Sequence, residues 1–202
     1  MNHKTLPTHY RYAATLDFMR DRRQMLAILK LSAILIMLPL ILGLILSFCV
    51  SGASVSTCWR FMFARWWRWP VLILALIAYI PLHELTHGIA MYALSGVRPT
   101  YGLSLPYAYA GSTEWFDRRS HICTALMPVI LWGIVFEALW IMLPGEWFWF
   151  FRILQISNLS GSAGDIYCVW ALSHMDGDIL IQDTGVRMRV FKYRPPTEES
   201  KP

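Results

Sequence analysis

The run His83-Glu84-Leu85-Thr86-His87 lies inside an apolar stretch long enough to cross a lipid bilayer. On a helix, residues four apart share a face, so the two imidazoles can bind one metal ion. The intervening carboxylate then reaches a water activated by that ion. An ionisable side chain at mid-bilayer costs about 2.5–3.5 kcal/mol on insertion scales. Three such groups in five positions therefore need a polar partner, and a zinc ion supplies one. The pattern points to a zinc hydrolase site placed within the membrane.

Composition agrees with a membrane setting. Only 15% of the 202 residues are charged and 56% are hydrophobic, whereas soluble domains carry about 25% charged residues. Ten Trp and nine Tyr suit aromatic belts at the two interfaces. The net charge of +5 is explained by basic residues flanking apolar spans and meeting anionic headgroups, and nucleic acid is excluded as a partner. Cys49, Cys58, Cys123 and Cys168 form no ligand-spaced pair. No secretory signal peptide opens the chain, so the first apolar run reads as an uncleaved anchor.

Four stretches approach or exceed the ~20 residues that a crossing requires. They run from about Leu31 to Val50, Trp69 to Leu94, Ile122 to Leu143 and Trp147 to Leu172. The fourth is rich in Gly and Ser, as in a helix packed against its neighbours. Four crossings bring 14 of the 18 basic residues to one side, leaving Arg60, Arg65, Arg68 and Arg152 on the other. The positive-inside rule then puts both termini in the cytoplasm. The expected fold is an all-α polytopic membrane protein of four transmembrane helices, with a small cytoplasmic β-hairpin over Val97–Ser112 and a β-like tail. Residues 1–30 form a cytoplasmic segment with an amphipathic surface helix over Ala13–Lys30. Residues 31–173 form the membrane domain and residues 174–202 the tail.

Catalytic zinc usually has three protein ligands and an open position. Asp165, Glu137, His121, His174, Asp176 and Asp178 are candidates for the third. His87 lies about eight residues before the cytoplasmic end of its span, roughly 12 Å. Asp165 sits at a matching depth in the fourth span, while Glu137 lies toward the outer side. His121, His174, Asp176 and Asp178 fall at or beyond the cytoplasmic boundary, where water solvates them. Asp165 is therefore the expected third ligand beside His83 and His87, and Glu84 the catalytic base. Asn158, two helical turns before Asp165, is a candidate contact to substrate or oxyanion, or equally a hydrogen-bonding link between helices. Pro81 removes a backbone donor just before the motif and can bend its helix.

The HExxH span followed by an Asp in a later span resembles the site-2 protease class of intramembrane metalloproteases. In that class an Asn-containing motif precedes the later ligand, which resembles Asn158 to Asp165. The chain departs from it in lacking the prolines and the Asp-Gly pair, since Ile166 follows Asp165. Leu82-His-Glu-Leu-Thr-His-Gly88, the segment Ser160-Gly-Ser-Ala-Gly-Asp165 and the short basic tail resemble a family of small bacterial membrane proteins described as putative zincin peptidases. The resemblance covers roughly Trp69 to Tyr193. It implies a Zn²⁺-dependent endopeptidase of the bacterial inner membrane acting on membrane proteins or peptides. The alternative is a non-catalytic scaffold or transporter accessory protein with a structural or regulatory metal. Neither reading specifies an oligomeric state.

Overall fold

The computed structural model describes residues 5–17, 21–51, 65–104, 107–143, 145–185 and 187–195. Cys58, and the side chain of Cys49, lie outside the described portion. The elements are β1 (Tyr10–Leu16), α1 (Arg22–Ser51), α2 (Arg68–Ser95), β2 (Thr100–Ser104), β3 (Tyr107–Gly111), β4 (Phe116–Asp117), α3 (Arg118–Met142), α4 (Phe148–Gly161), α5 (Ala163–Ser173), β5 (Ile179–Asp183) and β6 (Met188–Tyr193). A single 3₁₀ turn, Gly145–Trp147, precedes α4.

Among the described residues three helical segments are long and apolar enough to cross a membrane: Arg22–Leu46, Arg68–Ser95 and Arg118–Met142. Each starts or stops for a local reason. Asp21 caps α1, its Oδ1 accepting the backbone N–H groups of Arg23 at 2.8 Å and Gln24 at 3.3 Å. Asp117 does the same for α3 through the N–H of Ser120 at 2.8 Å. Helix α2 stops at Gly96, whose φ of 71° is open to glycine at little cost and whose N–H bonds the Tyr92 carbonyl. Pro81 is accommodated inside α2, which remains helical across it. Along α2 the outer side chains, such as Leu74, Ile77 and Ile80, are exposed apolar groups suited to lipid. Leu72, Tyr79, His83, Thr86, His87 and Ala90 form the buried stripe, so the motif faces protein.

The fourth expected span is instead two shorter helices. Helix α4 ends where the Ser162 N–H and hydroxyl both bond the Asn158 carbonyl, at 3.1 and 2.8 Å. A side-chain bond of this kind competes with helix propagation. Helix α5 then begins with Asp165 in its first turn, where a carboxylate interacts favourably with the helix dipole. At 14 and 11 residues, neither piece crosses a bilayer alone.

The chain divides into two compact units. One comprises residues 26–83 and 128–164. Its core is aromatic, built from Leu72, Tyr79, Phe136, Trp149, Phe150, Phe151 and Leu154. Two buried arginines are paired within it. Arg68 bonds Glu146 at 2.7 Å, which holds that carboxyl below its ordinary pKa. Arg152 meets Glu137 at 3.3 Å, with the Trp140 and Phe148 rings against its guanidinium.

The other unit comprises residues 1–25, 84–127 and 165–202. It holds an antiparallel four-stranded sheet in the order β1-β6-β5-β4, and the separate β2-β3 hairpin. The hairpin over Val97–Ser112 and the strands of the tail agree with the sequence reading, but the N-terminal segment does not. Of the helix expected over Ala13–Lys30, Arg22–Lys30 is helical as the start of α1, whereas Tyr10–Leu16 is a strand paired with β6, from Tyr10 opposite Tyr193 to Leu16 opposite Met188. Its aromatic and β-branched residues suit a strand that has found a partner. Leu16, Cys168, Leu172, Ile179, Ile181, Met188 and Val190 pack as the core beneath this sheet. The buried Gly111 lies against the Thr184 backbone, where an added Cβ would overlap main-chain atoms that cannot swing aside. Gly111→Ala is therefore expected to destabilise by about 1–3 kcal/mol, seen as a lower thermal unfolding midpoint in detergent. Gly96→Ala, with open space around it but a positive φ, serves as the strain-only control.

Candidate metal centre

Two helical positions one turn apart, and one residue at the start of another helix, make the site. His83 and His87 are both buried on α2, each 8% exposed, and Glu84 between them is half-buried. The His87 Nε2 lies 3.5 Å from Asp165 Oδ1. His83, His87 and Asp165 each offer one ligand atom within 4.8 Å of the others. Among the described residues this is the only such group of three His, Cys, Asp or Glu side chains.

The surroundings of the imidazoles fit a metal through Nε2. His87 Nδ1 donates to the backbone carbonyl of Thr124 at 3.0 Å, because a carbonyl can only accept. In the neutral ring this makes Nε2 the nitrogen with the lone pair. His83 Nδ1 lies 2.9 Å from the Tyr79 hydroxyl. Metal-binding histidines commonly use their second nitrogen in this way, which fixes ring orientation and raises ligand basicity. Two imidazoles and one carboxylate form a donor set that suits zinc.

The other sequence candidates lie elsewhere. Glu137 is the partner of Arg152. His174 and Asp176 are exposed. Asp178 is also exposed and accepts the Tyr10 hydroxyl at 2.5 Å, and partial burial together with this contact pushes the Tyr10 phenol up to about 12. His121 corrects the reading that solvates it, because it is 2% exposed. Its Nε2 lies 3.9 Å from Asp183 Oδ2 and 3.7 Å from Cys168 Sγ, beneath the sheet. Burial pushes the Asp183 carboxyl above its ordinary range, against the opposing pull of His121.

Asn158 sits as a hydrogen-bonding link between helices. It is 0% exposed, and its side chain is committed to Tyr79 Oη at 2.6 Å and the Val129 carbonyl at 3.1 Å. An amide with these partners has little left to offer a substrate. Asn158 lies in α4 and Asp165 in α5, so one continuous helix does not carry both.

Sequence reasoning missed three contributors. Tyr79 was detectable, because it stands four residues before His83 on the same helical face. The Thr124 carbonyl is main chain and carries no residue signal. The third, Tyr101 on β2, has its hydroxyl against Gly88, where any Cβ would collide with it. Partial burial and the neighbouring charge of Glu84 push its phenol above the ordinary value, so it stays protonated at neutral pH as a hydrogen-bond donor.

The profile of the family described as putative zincin peptidase matches residues 76–180, just over half of the chain, and the chain belongs to that family. The match takes in His83, Glu84, His87, Asn158 and Asp165. A protein of Pyrococcus woesei described as "Uncharacterized 24.7 kDa protein in gap 5'region" is 28% identical over 123 residues. That alignment covers 58% of this chain and 53% of the relative, so the chain spans about half of the relative's length. No solved structure matches.

Proposed function

We propose that this chain is a zinc-dependent endopeptidase that hydrolyses peptide bonds of membrane proteins within or beside the bilayer. The observation that carries the reading is the donor set His83, His87 and Asp165, gathered within 4.8 Å on and beside a helix long enough to span a membrane. His83 and His87 through Nε2, with one carboxylate oxygen of Asp165, would hold the ion. Zinc, when bound, supplies Lewis-acid polarisation of the scissile carbonyl and lowers the pKa of the attacking water. Glu84 takes the proton from that water and passes it to the leaving amine. Tyr101, beside Glu84, is a hydrogen-bond donor for the charge that develops on the carbonyl oxygen.

Substrate must be extended before cleavage, because a helical peptide bond is shielded and internally bonded. Among the described residues β2 is paired on one side only, with β3, so its outer edge can take an added strand. The sheet supports a topology as well. Pairing of β1 with β6, and of β4 with β5, returns the chain to one sheet after each helical excursion. This supports both termini on one side. The basic-residue asymmetry makes that side the cytoplasm, in a multi-pass protein of a bacterial inner membrane.

The test is metal-dependent cleavage by the purified protein. One zinc per chain is expected, with cleavage of unfolded single-span peptides in detergent. Chelation should abolish the cleavage and added zinc restore it. Cleavage indifferent to chelation, or a protein that takes up no metal, would overturn the reading.

A further inference from the structure

Three buried side chains form a directional chain of hydrogen bonds behind His83, and its polarity follows from its far end. The Val129 carbonyl can only accept, so the Asn158 group facing it at 3.1 Å is the amide Nδ2. A second acceptor, Gln155 Oε1, lies 3.5 Å from the same nitrogen. The Asn158 atom facing Tyr79 is therefore Oδ1, which also can only accept. Tyr79 has one hydroxyl proton and donates it there, at 2.6 Å. The Tyr79 oxygen is then the acceptor toward His83, 2.9 Å away, and the proton between them belongs to His83 Nδ1. Reversing any bond would set two acceptors or two donors against each other at Asn158, Tyr79 and His83, which are 0%, 6% and 8% exposed. The Tyr79 ring is held by edge contacts to Trp132 and a tilted contact to Phe136, so its hydroxyl cannot swing away cheaply.

We propose that Tyr79 and Asn158 are positioning residues that hold His83 as the Nδ1–H tautomer, and so make Nε2 its metal-binding atom. The proposal rests on His83 being a metal ligand, as in the function above. Asn158 then acts two bonds behind the metal and not on substrate. His87 needs no such chain, because the Thr124 carbonyl sets its tautomer directly.

The experiment uses full-length protein labelled with ¹⁵N in histidine, with His83→Gln assigning the His83 resonances. In metal-free wild type, His83 should show a protonated Nδ1 and an unprotonated Nε2. Tyr79→Phe keeps the ring contacts and removes the acceptor, and should shift that balance. Its Co²⁺ affinity, read from the visible spectrum, should fall by about 10–100-fold. Asn158→Leu should act in the same direction. If Asn158→Leu does not fold, Tyr79→Phe decides. A purely structural role would lower the thermal midpoint of these variants and leave tautomer and Co²⁺ affinity at wild-type values, which would overturn the proposal. So would an Nε2–H tautomer at His83 in wild type. No measurement here reads cleavage, so failure of the peptidase reading would show separately, as a metal-binding wild type that cuts nothing.

Discussion

Asp165→Ala is expected to strip the purified protein of its stoichiometric zinc. Asp165 supplies the only carboxylate of the donor set, and its Oδ1 lies 3.5 Å from His87 Nε2. Without it, two neutral imidazoles remain, and catalytic zinc usually needs three protein ligands. His83→Ala and His87→Ala each remove one of the remaining two and should have the same effect. Removing a group that only supports a ligand costs about 10–100-fold in affinity, so loss of a ligand should exceed that range. The measurement is zinc per chain after dialysis against buffer without metal. Glu137→Gln and Asp176→Ala are the comparisons, and both should keep full zinc. Glu137 serves Arg152, and Asp176 is exposed. Zinc retained in Asp165→Ala and lost in either comparison would move the third ligand elsewhere.

How much of this was readable without coordinates varied with the range of the interaction. His83, Glu84 and His87 were readable because i, i+4 geometry is local to one helix. Asp165 was found by counting residues along two apolar stretches, although the second is not the continuous helix that the count assumed. The count leads to the residue that clusters with His83 and His87 because the break at Ser162 lies upstream of Asp165 and leaves the stretch from Asp165 to Ser173 helical. The same break interrupts the two turns between Asn158 and Asp165, and the Asn158 side chain instead links helices through Tyr79 and Val129. The N-terminal strand was hidden for another reason. Tyr10–Leu16 is extended because it pairs with Met188–Tyr193, at the far end of the chain, and no local pattern reports such a partner. His121 was placed in solvent because span boundaries were the only guide to exposure. Its burial beneath the four-stranded sheet depends on strands contributed from both ends of the chain.

Glu84→Gln is expected to separate enzyme from scaffold. Glu84 is absent from the set of clustered ligands, so the variant should keep its fold and its full zinc content. Glutamine is nearly isosteric with glutamate but cannot accept a proton from water at neutral pH. Loss of general-base catalysis typically costs about 10²–10⁴-fold in rate. A packing effect of so small a change, at a half-buried residue, would be far smaller. The assay co-expresses wild type or Glu84→Gln with candidate single-span membrane proteins and compares the cleaved fragments that accumulate. Zinc-loaded Glu84→Gln with intact substrate is the expected result. Tyr101→Phe gives an intermediate case, because it removes a hydrogen-bond donor beside Glu84 and leaves the base and the metal ligands in place. Its rate should fall less than that of Glu84→Gln, with zinc content unchanged. A Glu84→Gln protein that cleaves like wild type, and also reverses every cellular defect caused by deleting the gene, would mean that hydrolysis at this site is not the function. The metal would then serve a structural or regulatory role, and Glu84 would be no more than a polar neighbour of His83 and His87.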